Sequence, residues 1–248
     1  MLETFRTARG VIRSLRIYYG DRGRKTAMDQ LYRHFVQPGD LVFDIGAHVG
    51  DRVASFRRLG ARVVALEPQP ALGCVLGLLY GFDRSVVIKR AAIGRAVGTT
   101  SLMINIDNPT ISTASTDFMQ AAKGARGWEG QAWTKSVAVP VTTIDALIAE
   151  HGVPVFIKID VEGFEAEALA GLTQSVAALS FEFTTIQRDE ALACITRCGA
   201  LGFDRFNAAL GESQTMVHGD WRGRDDIARW LSELPHSANS GDVYAVRA

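Results

Sequence analysis

Cysteine is scarce. The 248 residues contain three, and Cys74, Cys194 and Cys198 form neither a CxxC pair nor a metal-ligand spacing with histidine. That argues against a disulfide framework and a zinc-type centre. Cys194 and Cys198, four residues apart, fall on one side of a helix and read as buried thiols of a reducing compartment. No apolar run is long enough to span a bilayer, and no stretch has the basic, apolar and cleavage regions of a secretory signal. A cytoplasmic protein is the expectation. Charge of one sign is missing too: 27 Lys and Arg meet 27 Asp and Glu, which leaves no electrostatic footprint for nucleic acid. Repeats and low-complexity tracts are absent. What remains is 47% hydrophobic and 22% charged, ample apolar material for a globular core and compatible with an oligomer.

The first forty residues stand apart as a helical extension (1–40) before the main domain (41–248). Arg6, Arg9, Arg13 and Arg16 recur every three or four residues and line one side of a helix. Phe5, Ala8, Ile12 and Leu15 make an adjacent apolar stripe. The pattern suits either a helix packed on the domain edge with its arginines in water, the preferred reading, or a membrane-surface helix.

From Leu41 the chain alternates strand and helix. Apolar runs at 41–45, 62–66, 86–88, 155–160 and 179–183 read as buried strands, with last strands near 203–207 and 243–246. Helical patterns follow at 53–59, 70–80, 164–172 and 190–198. This order implies an α/β fold, a parallel doubly wound sheet covered on both faces. The stretch from Asn105 to Ser136 lacks periodicity. It is too long for a plain connection, and reads as a lid, a substrate-binding element or disorder.

The segment Asp44-Ile45-Gly46-Ala47-His48-Val49-Gly50 lies where the first strand turns into a helix, the place where open α/β sheets bind ligands. Gly46 would let a ligand approach the backbone, and Gly50 would allow close helix–strand packing. Glu67, followed by Pro68, ends the second strand, where a carboxylate can accept both hydroxyls of a ribose. A dinucleotide needs glycine at the position of His48, because its pyrophosphate lies against the backbone. S-adenosylmethionine carries no phosphate, and its positive groups suit an acid such as Asp44. The turn therefore favours S-adenosylmethionine over NAD. A nucleotide-dependent oxidoreductase and a non-catalytic binding module stand as alternatives.

The Asp44–Gly50 turn, Glu67-Pro68, Ala91-Ala92-Ile93-Gly94 and Lys158-Ile159-Asp160-Val161-Glu162-Gly163-Phe164-Glu165 together resemble the FkbM family of S-adenosylmethionine-dependent methyltransferases, over about residues 39–183. The resemblance implies a Rossmann-like class I methyltransferase fold with an antiparallel last strand. It also implies methylation of a hydroxyl on a sugar or secondary metabolite. Carried over, the turn, including Ala47 and His48, would hold the amino-acid tail, Glu67 the ribose, and Ala91–Ala92 would lie along the adenine. The family commonly has Asn at position 48 and an acid near Arg95.

Asp160 and Glu162 follow the strand whose end borders such a cleft, and are the first candidates for catalysis or acceptor positioning. For Asp160 the competing role is structural, as the partner of Lys158 or within a network reaching Glu182. Glu165 reads as the start of the next helix, where a carboxylate meets the positive end of the dipole. Ser112, Trp128 and Trp133 are candidate contacts to a small-molecule or glycan acceptor. The competing role for the tryptophans is to anchor their loop. His151, His218 and His236 are scattered, and no metal is expected.

Overall fold

The computed structural model describes residues 2–247. Ten strands run in chain order: β1 (Leu41–Ile45), β2 (Arg62–Leu66), β3 (Val86–Lys89), β4 (Ala92–Ile93), β5 (Gly98–Ile104), β6 (Lys135–Thr142), β7 (Phe156–Ile159), β8 (Ala178–Thr184), β9 (Arg205–Leu210) and β10 (Ser240–Val246). The helices are α1 (Leu2–Gly20), α2 (Arg22–Tyr32), α3 (Asp51–Arg58), α4 (Pro70–Tyr80), α5 (Thr116–Ala122), α6 (Ile144–His151), α7 (Glu165–Ala170), α8 (Arg188–Ala200) and α9 (Arg224–Glu233).

Seven strands form the main sheet in the order β3-β2-β1-β7-β8-β10-β9. All neighbours are parallel up to β8. β10 then runs antiparallel to both β8 and β9, so the antiparallel last strand implied by the resemblance is present. Every residue of β1 and β7 is buried, which is why these runs read as continuous apolar segments without alternation. Alternate residues still feed opposite faces. Phe43, Ile45, Ile157 and Ile159 pack with residues of α6, α7, α8 and α9. Val42, Val63, Ala65 and Phe156 pack with Met28 and Tyr32 of α2, Val53 and Phe56 of α3 and Leu76 of α4. Strand order reverses beside β1, so the exits of β1 and β7 flank the crevice.

The stretch 105–134 is folded. A 3₁₀ turn at Pro109–Ile111 leads to α5, where the Ser115 hydroxyl accepts from the Phe118 amide at 3.1 Å. Phe118 sits edge-on to Trp128 at 5.2 Å and to Trp133 at 6.0 Å. The Trp133 indole donates to the Ile111 carbonyl at 2.7 Å. The two tryptophans thus anchor a cap to itself. On either side of it, β5 and β6 pair with each other, and β6 pairs with β4, in a second, three-stranded sheet, with order β4-β6-β5, that the sequence pattern did not disclose.

The N-terminal helices join the domain. α2 is capped by the Asp21 carboxylate and contributes to the core. α1 does pack on the edge, but on a different face from the one expected. Val11, Leu15 and Tyr18 meet Val49 and Leu72, while Phe5, Ala8 and Ile12 lie exposed. The contact is set by Gly10, where a Cβ would come within 2.9 Å of the Ile106 carbonyl oxygen and crowd Pro109. Arg6 and Arg9 pair with Asp107. Among the described residues no helix is long and apolar enough to cross a membrane.

Candidate cofactor and active site

The exits of β1, β2 and β7, covered by the cap and by Tyr18 of α1, enclose one cleft. Gly46 adopts φ +86°, and a Cβ there would lie 1.7 Å from the Asp160 carbonyl oxygen. This glycine is therefore demanded by the chain leaving β7, and not only by a ligand. Gly50, at φ +84°, has no room for a Cβ because Leu76 and Tyr80 of α4 lie at 2.7 Å. Its close packing is with a helix, where the expectation was helix–strand contact. Between them His48 holds φ +49°, a left-handed conformation that Asn and His adopt more readily than most residues.

The backbone at His48 and Gln69 orients Glu67. Their amides donate to its two carboxylate oxygens, each at 2.8 Å. A carboxylate has about four lone-pair sites, so two stay free for the hydroxyls of a ribose. Burial pushes Glu67 up to about 8. Asp44, buried on β1, is raised to about 7 by burial and by Asp51. One of its oxygens has no hydrogen-bond partner. An orphaned carboxylate oxygen in a cleft is a receptor for a cation. The His48 ring is edge-on to Tyr18 at 5.1 Å, and burial lowers it to about 4, so it is neutral at physiological pH. Ala91 and Ala92 line the same cleft beside Leu102. Arg95 lies outside, paired with Glu167.

Across the cleft the chain leaving β7 makes a tight loop. Thr113 donates to the Glu162 carbonyl at 2.6 Å, and the amides of Val161 and Gly163 donate to Glu165 at 2.8 and 3.0 Å. Glu165 opens α7 as expected, but it also clamps this loop. The clamp holds Glu162 at φ +57° and only 6% exposed. Its carboxylate lines the cleft, and burial and the neighbouring Asp160 raise its proton affinity well above the ordinary value. Glu182 of β8 is raised in the same way. For Asp160 burial acts in the same direction, but the Lys158 ammonium at 3.0 Å overcomes it and holds the carboxyl below its usual value. Lys158, fully buried, also pairs with Asp242 of β10 at 2.8 Å. The ion network expected for Asp160 is real, and its further member is Asp242 on β10. Asp160, Glu162 and Glu182 bring carboxylate oxygens within 4.8 Å of one another. At that spacing a proton or another cation between them relieves their repulsion.

Ser112 also lines the cleft, with its hydroxyl 3.3 Å from the Asn105 amide. Trp128 and Trp133 do not line it; they border a separate hollow in the cap beside Met119. There their rings pack on Phe118, which is the loop-anchoring alternative weighed for them. His151, His218 and His236 lie elsewhere, which leaves His48 and the carboxylates as candidate bases. Sequence reasoning missed Tyr18, Arg52, Phe164 and Glu212, all at the cleft. Arg52 pairs with Asp51 at 2.7 Å and Glu212 at 3.0 Å, and Arg24 joins the same two acids. The Asp51-Arg52 pair directly after the glycine turn was the available signal. Altogether seven carboxylates face two cations, Arg52 and Lys158, around the cleft.

A family profile described as methyltransferase FkbM domain matches residues 44–233. No curated protein matches the chain. Solved structures similar to it include precorrin-6y C5,15-methyltransferase of Geobacter metallireducens, at 14% identity over 90% of this chain and 87% of that one, with a TM-score of 0.45. Another is magnesium protoporphyrin IX methyltransferase of Synechocystis with bound S-adenosylmethionine, at 11% identity over 96% and 84%, with a TM-score of 0.47. At these values the strand order, and not the likeness, carries the fold.

Proposed function

The chain belongs to the FkbM-domain family of S-adenosylmethionine-dependent methyltransferases, and from that premise we propose that it methylates a hydroxyl of a small-molecule or glycan acceptor. Membership sets aside the NAD-type oxidoreductase. The residues fit the cofactor. The orphaned oxygen of Asp44, with the backbone of Gly46, Ala47 and His48, would hold the cationic tail. Glu67 would hold the ribose, and Ala91 and Ala92 would flank the adenine. When bound, S-adenosylmethionine supplies an activated methyl group on a positively charged sulfur.

The chain's own work is to orient the acceptor, exclude water and take one proton. The observation that carries the proposal is the Glu162 carboxylate, buried, clamped from behind and raised in proton affinity. Those properties make it a better general base than Asp160, whose proton affinity Lys158 holds down. Asp160 then orients the acceptor and keeps the site negative. Ser112 is a further acceptor contact. Lys158 and Arg52 offset part of the carboxylate charge, and the proposed chemistry calls on no metal, so turnover is expected to survive EDTA.

Glycans and metabolites from cells with and without the gene, compared by mass spectrometry, should reveal the acceptor as a species that loses a methyl group. With that acceptor, Glu162→Gln should lower kcat by about a hundredfold or more and leave affinity for S-adenosylhomocysteine nearly unchanged. Full activity of the variant would refute Glu162 as the base. Cofactor binding without transfer to any acceptor would make the chain a binding module.

A further inference from the structure

Burial of apolar side chains is uneven in this molecule. Eleven large hydrophobic residues are exposed among those described, and seven of them belong to α1 or to the end of α4: Phe5, Ile12, Ile17, Tyr19, Leu78, Leu79 and Phe82. Phe82 is 99% exposed, Leu78 83% and Phe5 71%. Scattered exposed apolar residues need no explanation, but a contiguous group does.

Apart from Ile17, which falls on another side of α1, these residues form one surface. Phe5, Ile12 and Tyr19 repeat every seven residues, so they lie along a single line of α1. α1 runs beside α4, with Val11 and Leu15 packed near Leu72 and Val75. The Tyr19 and Tyr80 hydroxyls meet at 2.8 Å, which brings the exposed line of α1 to the end of α4. Between the start of each helix an apolar groove continues the surface, lined by Ala8, Val11, Ala71, Val75 and Ile106.

Charge selects the occupant. α1 carries Arg6, Arg9, Arg13 and Arg16 against a single acid, Glu3, and α4 has no charged residue. Asp107 is shared by Arg6 and Arg9. Arg9, Arg13 and Arg16 fall beside the Phe5–Ile12–Tyr19 line. A second copy of the chain docked here across a two-fold axis would set these arginines against their own counterparts. An apolar strip edged by arginines instead matches a membrane interface, with acyl chains below and anionic headgroups above.

We propose that the exposed face formed by α1 and the end of α4 docks on an anionic lipid surface. Phe5, Ile12, Leu78 and Phe82 enter the acyl boundary, and Arg9, Arg13 and Arg16 contact headgroups. The opposite side of α1 presents Tyr18 to the cofactor cleft, so the membrane-facing helix is also a wall of that site.

Co-sedimentation of the full chain with vesicles tests this. Binding is expected to vesicles of mixed phosphatidylcholine and phosphatidylglycerol, not to phosphatidylcholine alone, and to weaken as salt rises. The double variant Leu78→Ser, Phe82→Ser should partition about tenfold less or worse, from the apolar area lost. Arg13→Glu, Arg16→Glu should reduce binding to the anionic vesicles comparably. All four positions lie outside the cleft, so melting temperature and affinity for S-adenosylhomocysteine serve as controls; absence of that affinity in the unaltered chain would instead strike the methyltransferase reading. Equal binding to both vesicle types, no binding to either, or unchanged binding by both variants would overturn the proposal. So would a dimer in solution that Leu78→Ser, Phe82→Ser dissociates while vesicles go unbound, which would make the face a self-interface.

Discussion

At Glu67 and Asp44 the cleft stores proton affinity. Both carboxyls are raised in the ligand-free fold, to about 8 and about 7. A carboxyl raised on folding binds more protons in the native state than in the unfolded chain between its two pKa values. Its stabilising contribution is complete below the unfolded value and is lost as pH rises through the folded one. Melting of the ligand-free protein is therefore expected to fall between pH 6 and pH 8. With the cationic tail on Asp44, as proposed above, cofactor binding is expected to have the opposite sign, because that tail prefers the ionised carboxylate. Titration calorimetry should find S-adenosylhomocysteine bound about tenfold more weakly at pH 6 than at pH 8, and Asp44→Asn should flatten that slope. Glu67→Gln should retain the fold and cost about 1–3 kcal/mol of cofactor affinity, the loss of a charged acceptor. Unchanged affinity would mean that the ribose is held elsewhere. Gly46→Ala is expected to do harm without any ligand. Its methyl group would meet the Asp160 carbonyl at 1.7 Å, and thermal melting should show a loss of about 3 kcal/mol or more.

At the scale of elements, legibility followed burial. β1, β2 and β7 were readable because both their faces are covered, and α4 was readable from Pro70 to Tyr80 because a proline opens it and Gly81 closes it. β5 and β6 each bury a single residue, so no alternation marked them. The cap was marked as a long stretch without its fold being legible, for another reason. It is held by Phe118, Trp128 and Trp133, whose spacing matches neither a helix nor a strand period. Trp133→Ala removes the hydrogen bond to Ile111 and part of this cluster, and should loosen the cap. Amide exchange in residues 105–134 is expected to quicken while β1 and β7 stay protected. The glycine turn after β1 and the Asp160–Glu162 string were legible as motifs. Tyr18 and Glu212 were not, because they reach the cleft from elements that carry no local signature; Arg52 was missed although it directly follows the glycine turn. The apolar face of α1 was misread because Gly10, not a large side chain, decides which side can approach the cap.

Over the whole molecule, the ion network ties the two ends of the sheet's construction together. Lys158 stands on β7, but one of its counter-ions, Asp242, is on β10, the strand inserted between β8 and β9. A ribosome delivers these parts in order. When β7, β8 and β9 have emerged, the edges of β8 and β9 that β10 will join are still bare, and the buried ammonium has only Asp160 for company. The nascent sheet thus carries two open strand edges and a half-neutralised charge until its final strand is made. Such a chain is most vulnerable to edge pairing with a neighbour during that interval. Translation that stalls after β9 should therefore yield aggregated product, whereas completion slots β10 into the gap and seals edges and charge in one event.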